Sequence, residues 1–277
     1  MNDVRELNLE NNNNYSENSK KSPFFKGPIR TNTMAVFGMI IVLSLWQFIT
    51  WAFSVPDYLV PSPTVIGAAI KEDIHLLLSN SVPTITEAFL GFLLGNTIAL
   101  LVAVSFVYNA TVEEMFYPVA ILIKTIPIVA IAPVLKIILG NGLEPKIVIA
   151  ALISFFPTLV NAVRGFRAVN PELLELMHVL SATKTQTFRR VRLYAALPYI
   201  FSALKISVTM CVLGAIVGEW IGANAGLGYL LIQSMFDFNA PRLFATILTS
   251  SAVAIAGFAI VSWLETKVIK WNAGEVV

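Results

Sequence analysis

Two charged side chains stand where a charge is costly. Glu219 is the single charged residue in the stretch 206–236, and Lys124 lies in the apolar stretch 117–139 with Lys136 and with Pro127 and Pro133, which should kink that span. An intramembrane ammonium or carboxylate is expensive unless it faces protein or water, so each is a candidate functional group. The alternatives are a structural acid near the end of its span for Glu219 and a lysine snorkelling to the interface for Lys124. Other chemistry is sparse. The sequence has two histidines, His75 and His178, and one cysteine, Cys211. None of them falls at metal-ligand spacing with Asp or Glu, and no nucleophile stands beside a base. There is no G-x-x-x-x-G-K-[ST] phosphate loop, so nothing in the chain cradles nucleotide phosphates in that way. Cys211 reads as a small packing residue inside a span. No catalytic, cofactor-binding or metal-binding residue is expected.

A second pattern lies at 165–203, a polar segment too long to be a simple turn. Asn170-Pro171-Glu172 opens a helix: Asn caps, Pro suits the first turn, and Glu complements the dipole. Leu173, Leu174, Leu176, Met177 and Leu180 recur at helical spacing on one face. Ser181-Ala182-Thr183 breaks the pattern. A second helix is expected from about 185 to 196, carrying Arg189, Arg190 and Arg192 and ending at Leu197-Pro198. Such a helix pair could rest on the membrane with its arginines on lipid phosphate, or insert into a groove on a soluble partner.

The elements that hold these groups follow from composition. Of 277 residues, 56% are hydrophobic and 13% charged, about half the charged fraction of a soluble domain. Mean hydropathy is +0.74. A net charge of +2 provides no basic face for nucleic acid. The chain reads as an all-α, polytopic membrane protein surrounded by lipid. A span needs about 20 apolar residues, which places about six, at 34–54, 88–110, 117–139, 147–164, 204–222 and 243–264. Residues 1–33 and 271–277 read as tails, and 61–83 as an amphipathic helix on the outer surface. Most basic residues cluster in the first tail, in 165–203 and after 264, so both termini are expected in the cytoplasm. Gly214, Gly218, Gly222 and Gly226 repeat at four-residue steps in the fifth span, with Gly91 and Gly95 in the second. Small residues at that spacing let helices approach closely in lipid, within one subunit or between two.

Residues 175–181, Glu-Leu-Met-His-Val-Leu-Ser, followed by Phe188-Arg189-Arg190-Val191 and Ala196-Leu197-Pro198, resemble the cytoplasmic "EAA" loop of permease subunits of ATP-binding-cassette importers. Glu175 and the Leu-Pro pair fit the family pattern. Leu176, Met177 and Ser181 stand where the family has Ala, Ala and Gly. Leu59-Val60-Pro61-Ser62-Pro63-Thr64, Lys124-Thr125-Ile126-Pro127 with Ala132-Pro133, and the glycine-rich stretch 218–230 resemble the nitrate/taurine/alkanesulfonate branch in order and spacing. Within it, permeases for pyrimidine thiamine precursors or riboflavin are most similar. The resemblance covers about 34–270. It implies a type I importer permease in the bacterial inner membrane, working as a homodimer or pseudo-dimer. A separate subunit would bind ATP, and a periplasmic or lipid-anchored binding protein would deliver the solute. Glu172, Glu175, Leu176, Met177, Ser181, Ala182, Arg189, Leu197 and Pro198 would form the ATPase-docking loop. A self-contained carrier driven by an ion gradient is the alternative; no internal repeat in the sequence favours it.

Overall fold

The computed structural model describes residues 28–270, and among these every regular element is helical. The tails expected at 1–33 and 271–277 lie outside the described residues, except that helix already begins at Pro28. The chain divides into two units after Val55. The first holds α1 (Pro28–Ala52), which starts before the expected position 34. Near its end the Thr50 hydroxyl donates back to the Trp46 or Gln47 carbonyl, and the Val55 amide reaches the Thr50 carbonyl at 3.0 Å.

The second unit begins with α2 (Pro63–Glu72) and α3 (Ile74–Tyr108). The expected surface helix at 61–83 is therefore shorter than the pattern suggested. Only its first part is separate. From Ile74 the chain already belongs to a 35-residue helix that runs straight through Pro83. Leu77, Asn80, Ser81 and Thr84 are buried there, so the polar residues of this stretch face neighbouring helices. Asp73, at the α2–α3 corner, accepts two hydrogen bonds from the Arg242 guanidinium, at 2.8 and 3.2 Å. That clamp ties the corner to the start of α11 (Ala240–Val268).

Next come α4 (Ala110–Thr125) and α5 (Ile128–Leu139), bent by 96°. A kink was expected here; the structure has a break. Ile126 and Pro127 are both extended, because a residue before proline is driven out of the helical region and proline itself has no N–H to donate. The remainder is α6 (Glu144–Arg167), α7 (Pro171–Val179), α8 (Lys184–Thr187), a π-helical turn at Phe188–Arg192, α9 (Leu193–Glu219) and α10 (Leu227–Phe236), followed by α11. From Lys184 to Glu219 the helix is continuous over 36 residues, so Leu197-Pro198 does not end it. Pro198 sits inside α9, in a span whose neighbours tolerate a missing ladder bond.

Among the described residues, α3, α6, Lys184–Glu219 and α11 are each long and apolar enough to cross a membrane, and α4 with α5 would make a fifth crossing. The expected first span coincides with α1, whose apolar run Val36–Ala52 is shorter than that. At the centre α6 packs along both α3 and α9. A Cβ on Gly91 would collide with the Ala150 side chain, and one on Gly214 would lie 2.8 Å from Ala150 Cα. Gly95 meets the Ala151 carbonyl and Ser154 in the same way. Lipid provides no hydrophobic drive for helix association, so the contacts come from close backbone approach. Asn96 adds a polar tie: its Oδ1 accepts from Thr158 at 2.5 Å and Ser207 at 3.0 Å, joining α3, α6 and α9.

Gly95→Val should lower thermal stability in detergent by about 1–3 kcal/mol through overpacking. Gly67→Ala should be neutral or stabilising, because nothing lies within 4 Å of the added carbon. Thiol-reactive dye unfolding curves, reporting on buried Cys211, measure both.

Candidate functional site

The segment between α6 and α9 is built from strong local signals. The Asn170 side chain accepts from the Glu172 amide at 3.0 Å, and Pro171 takes the first turn of α7. The helix closes with two crossed bonds, Ala182 N–H to the Met177 carbonyl and Ser181 N–H to the His178 carbonyl, each 2.9 Å. This is a Schellman closure, which needs a left-handed residue at Ser181. Ser181 takes it, with φ +52°, where glycine would carry no steric cost. Thr183 and Gln186 then form a reciprocal capping box for α8.

No residue of α7 is buried. Leu174 and Met177 turn partly inward, whereas Leu173, Leu176, Val179 and Leu180 are exposed. The single apolar face expected over 173–180 is thus divided, with its larger part outward. Glu172 and Glu175 are exposed beside it, as is Arg189 on the π-helical turn. Leu197 and Pro198 are not in this group: they are half-buried inside α9, flanking buried Ala196.

The base of the segment is fixed by residues that the sequence reading did not single out for this role. The Phe188 ring lies 5.4 Å from that of Tyr108 and 5.2 Å from that of Phe166. Arg192 donates to the Phe166 carbonyl at 3.0 Å. Arg167 pairs with Glu113, on the first turn of α4. An open cavity of about 310 Å³ remains between α7 and the end of α3, lined by Leu174, His178, Phe188 and Tyr108 among others. The only signal for this anchor was the aromatic at 188 within the arginine cluster.

At the other end of α9, Glu219 is a structural acid. Its Oε1 accepts from Thr84 at 2.6 Å and its Oε2 from the Gly228 amide at 2.5 Å. The Leu227 amide donates to Thr84 Oγ1 at 2.8 Å, and the Gly226 amide to Asn80 Oδ1 at 2.9 Å. Together they satisfy the Gly226, Leu227 and Gly228 N–H groups at the start of α10. Gly226, at φ +120°, sits so close over the Glu219 carboxylate that no side chain fits. Gly222, at φ +87°, also lies past the helix end. The glycine stripe is therefore split: Gly214 and Gly218 pack α9 onto α6, while Gly222 and Gly226 shape the following loop. The stripe packs within this chain.

One turn along α3 from Thr84, Glu87 is fully buried and accepts from Lys146 of α6 at 2.7 Å. Its second oxygen has no hydrogen-bond partner among the described residues. A buried pair satisfied on one side fixes position more than it stabilises. Lys124, the last predicted residue, lies at the α4–α5 break with its ammonium 4.5 Å from the centre of the Phe156 ring.

No group of His, Cys, Asp and Glu able to hold a metal is present among the described residues. The geometry thus provides a projecting helix on a braced base and a packed set of spans. Residues 95–270 match the family model described as "binding-protein-dependent transport system inner membrane component". The formylaminopyrimidine transport permease protein of Halalkalibacterium halodurans is 32% identical, over 84% of this chain and 93% of its own length. A probable ABC transporter permease of Haemophilus influenzae is 31% identical over 81% and 91%. Of solved structures, the inward-facing MetNI methionine ABC transporter aligns with a TM-score of 0.57, at 22% identity, over 68% of this chain and 96% of that one. The fold, the crossings and the match over most of the chain have one meaning: the protein belongs to the family of binding-protein-dependent transport system inner membrane components, as a multi-pass permease subunit of an ATP-binding-cassette importer.

Proposed function

We propose that residues 171–192 dock a separate ATP-binding subunit and that two copies of the chain enclose the solute pathway. The observation that carries this reading is α7 itself: a capped helix with no buried residue and outward leucines, on a base fixed by Phe188 and Arg192. An exposed apolar row flanked by Glu172 and Glu175 suits a helix-in-groove contact. The partner binds ATP; this chain carries no cofactor. ATP shifts the access of the pathway to the extent that the docking contacts differ between the two states. All six spans cross, with both termini in the cytoplasm, and a periplasmic or lipid-anchored binding protein brings the solute.

The solute is a small polar organic or anionic molecule. Relatives are named for formylaminopyrimidine, riboflavin and aliphatic sulfonates, which supports a compact cargo and leaves its charge to be read from the pathway.

Affinity purification from native membranes, followed by mass spectrometry, should recover a P-loop ATPase and a solute-binding protein; a well-folded chain recovered alone would overturn the proposal. Glu175→Lys should cut uptake by about tenfold or more, equivalent to about 1.4 kcal/mol of lost coupling, with normal abundance in the membrane. Unchanged uptake would remove Glu175 from the docking surface. Ser181→Gly should relieve about 1 kcal/mol of left-handed strain and slow hydrogen–deuterium exchange at positions 180–182 about fivefold. Faster exchange in that variant would contradict the Schellman closure.

A further inference from the structure

Where the broken helix crosses the middle of α6, a cavity of about 620 Å³ opens. Its walls are mostly apolar, with Ile123, Ile131 and Phe155 among them, and among the described residues Lys124 is the only charged one lining it. The contact with Phe156 fixes the depth of this lysine, which the sequence left open. Phe156 is near the midpoint of the 24-residue α6, about 16–18 Å from either end at 1.5 Å per residue. Lys124 therefore stands level with the middle of α6, its side chain exposed in the single chain, at a depth where an unneutralised charge in lipid is costly.

Among the described residues four other cations are ion-paired, Lys146 with Glu87, Lys205 with Glu265, Arg242 with Asp73 and Arg167 with Glu113, while half-buried Lys136 has no carboxylate partner. Among the described residues no carboxylate lies within ion-pair distance of Lys124; its neighbour is the face of the Phe156 ring. Polar groups nearby are already engaged. The Thr125 hydroxyl donates to the Leu122 carbonyl at 2.7 Å, and the Asn161 amide to the Pro157 carbonyl at 2.8 Å. The Lys124 ammonium is left as the donor available to a ligand. Ile128 and Ile131, at the start of α5, line the same space, so the positive end of that half-helix adds to the lysine.

We propose, on the permease reading above, that this cavity is a way-station for a small organic anion, with Lys124 supplying the counter-charge and the isoleucine and phenylalanine walls taking the apolar body. A cavity of this volume is the size that holds small ligands. An anion removes the cost of the unpaired ammonium. A neutral solute leaves it unpaired, and a cation adds repulsion.

The matched probes are benzenesulfonate and its neutral isostere benzenesulfonamide, followed by saturation-transfer NMR on the purified complex with its ATPase subunits. The sulfonate should bind about tenfold tighter than the sulfonamide, or more. Lys124→Gln should abolish the preference and Lys124→Arg should keep it, with both variants eluting from gel filtration as the wild type does. Equal binding of the two probes, or a preference that survives Lys124→Gln, overturns the anion site. The outcome is separable from the permease reading. If the ATPase co-purifies and the preference is absent, only the anion site fails. If the ATPase does not co-purify, the permease reading fails, and a preference lost in Lys124→Gln still supports the site.

Discussion

Ala150 is held between two glycines, Gly91 of α3 on one side and Gly214 of α9 on the other. Neither neighbour has room for one more carbon. In lipid this close approach replaces the expulsion of water as the source of helix association, and the rest of the membrane unit is arranged around it. The buried core reflects the same rule, with Ala99, Ala103, Ala162, Ala196, Ala203 and Ala215 at or near zero exposure. Larger residues flank the seam, Val212 and Ile216 clustering with Ala150, and the bulkiest gather further along in the Phe106, Leu159 and Phe166 cluster.

With the three helices so close, polar side chains can bridge them. Asn96 is reached by Thr158 and Ser207, and Glu87 meets Lys146. Glu219 uses its oxygens on Thr84 and on the Gly228 amide. These groups have a positional role. Each would be costly alone, and each is tolerated because the small-residue seam brings its partner within reach. The carboxylate at the end of α9 therefore serves as a cap for α10.

What the sequence made legible was local. Asn170, Pro171 and the break at Ser181 specify their helix ends within a few residues, and the structure places all of them as the pattern indicates. The expected spans at 88–110, 147–164, 204–222 and 243–264 likewise overlap helices long and apolar enough to cross a membrane. What was not legible depended on distant partners. Glu87 and Lys146 each border a charge-free run in the sequence, and nothing local ties them; their pairing joins positions 59 apart. Gly222 and Gly226 continue the spacing of Gly214 and Gly218, yet the helix ends at Glu219 because that carboxylate is engaged by α10. Proline misled in both directions. Pro198 was read as a stop and lies inside a helix, whereas Pro127, read as a kink, separates two helices almost at right angles.

The uninterrupted helix from Lys184 to Glu219 has a mechanical consequence. At 1.5 Å per residue, its 36 residues make a rod of about 54 Å. One end is gripped by the Phe188 ring contacts and carries the projecting α7 segment; the other ends in the Glu219 cap. A rod pinned near its Glu219 end, where Gly214 and Ala150 touch, amplifies angle into travel: a tilt of about 5° moves the Lys184 end, about 45 Å away, by about 4 Å. The π-helical turn at Phe188–Arg192 and the missing ladder bond at Pro198 are the compliant points in that rod. Both lie in the long arm between that fulcrum and α7, so bending is absorbed there.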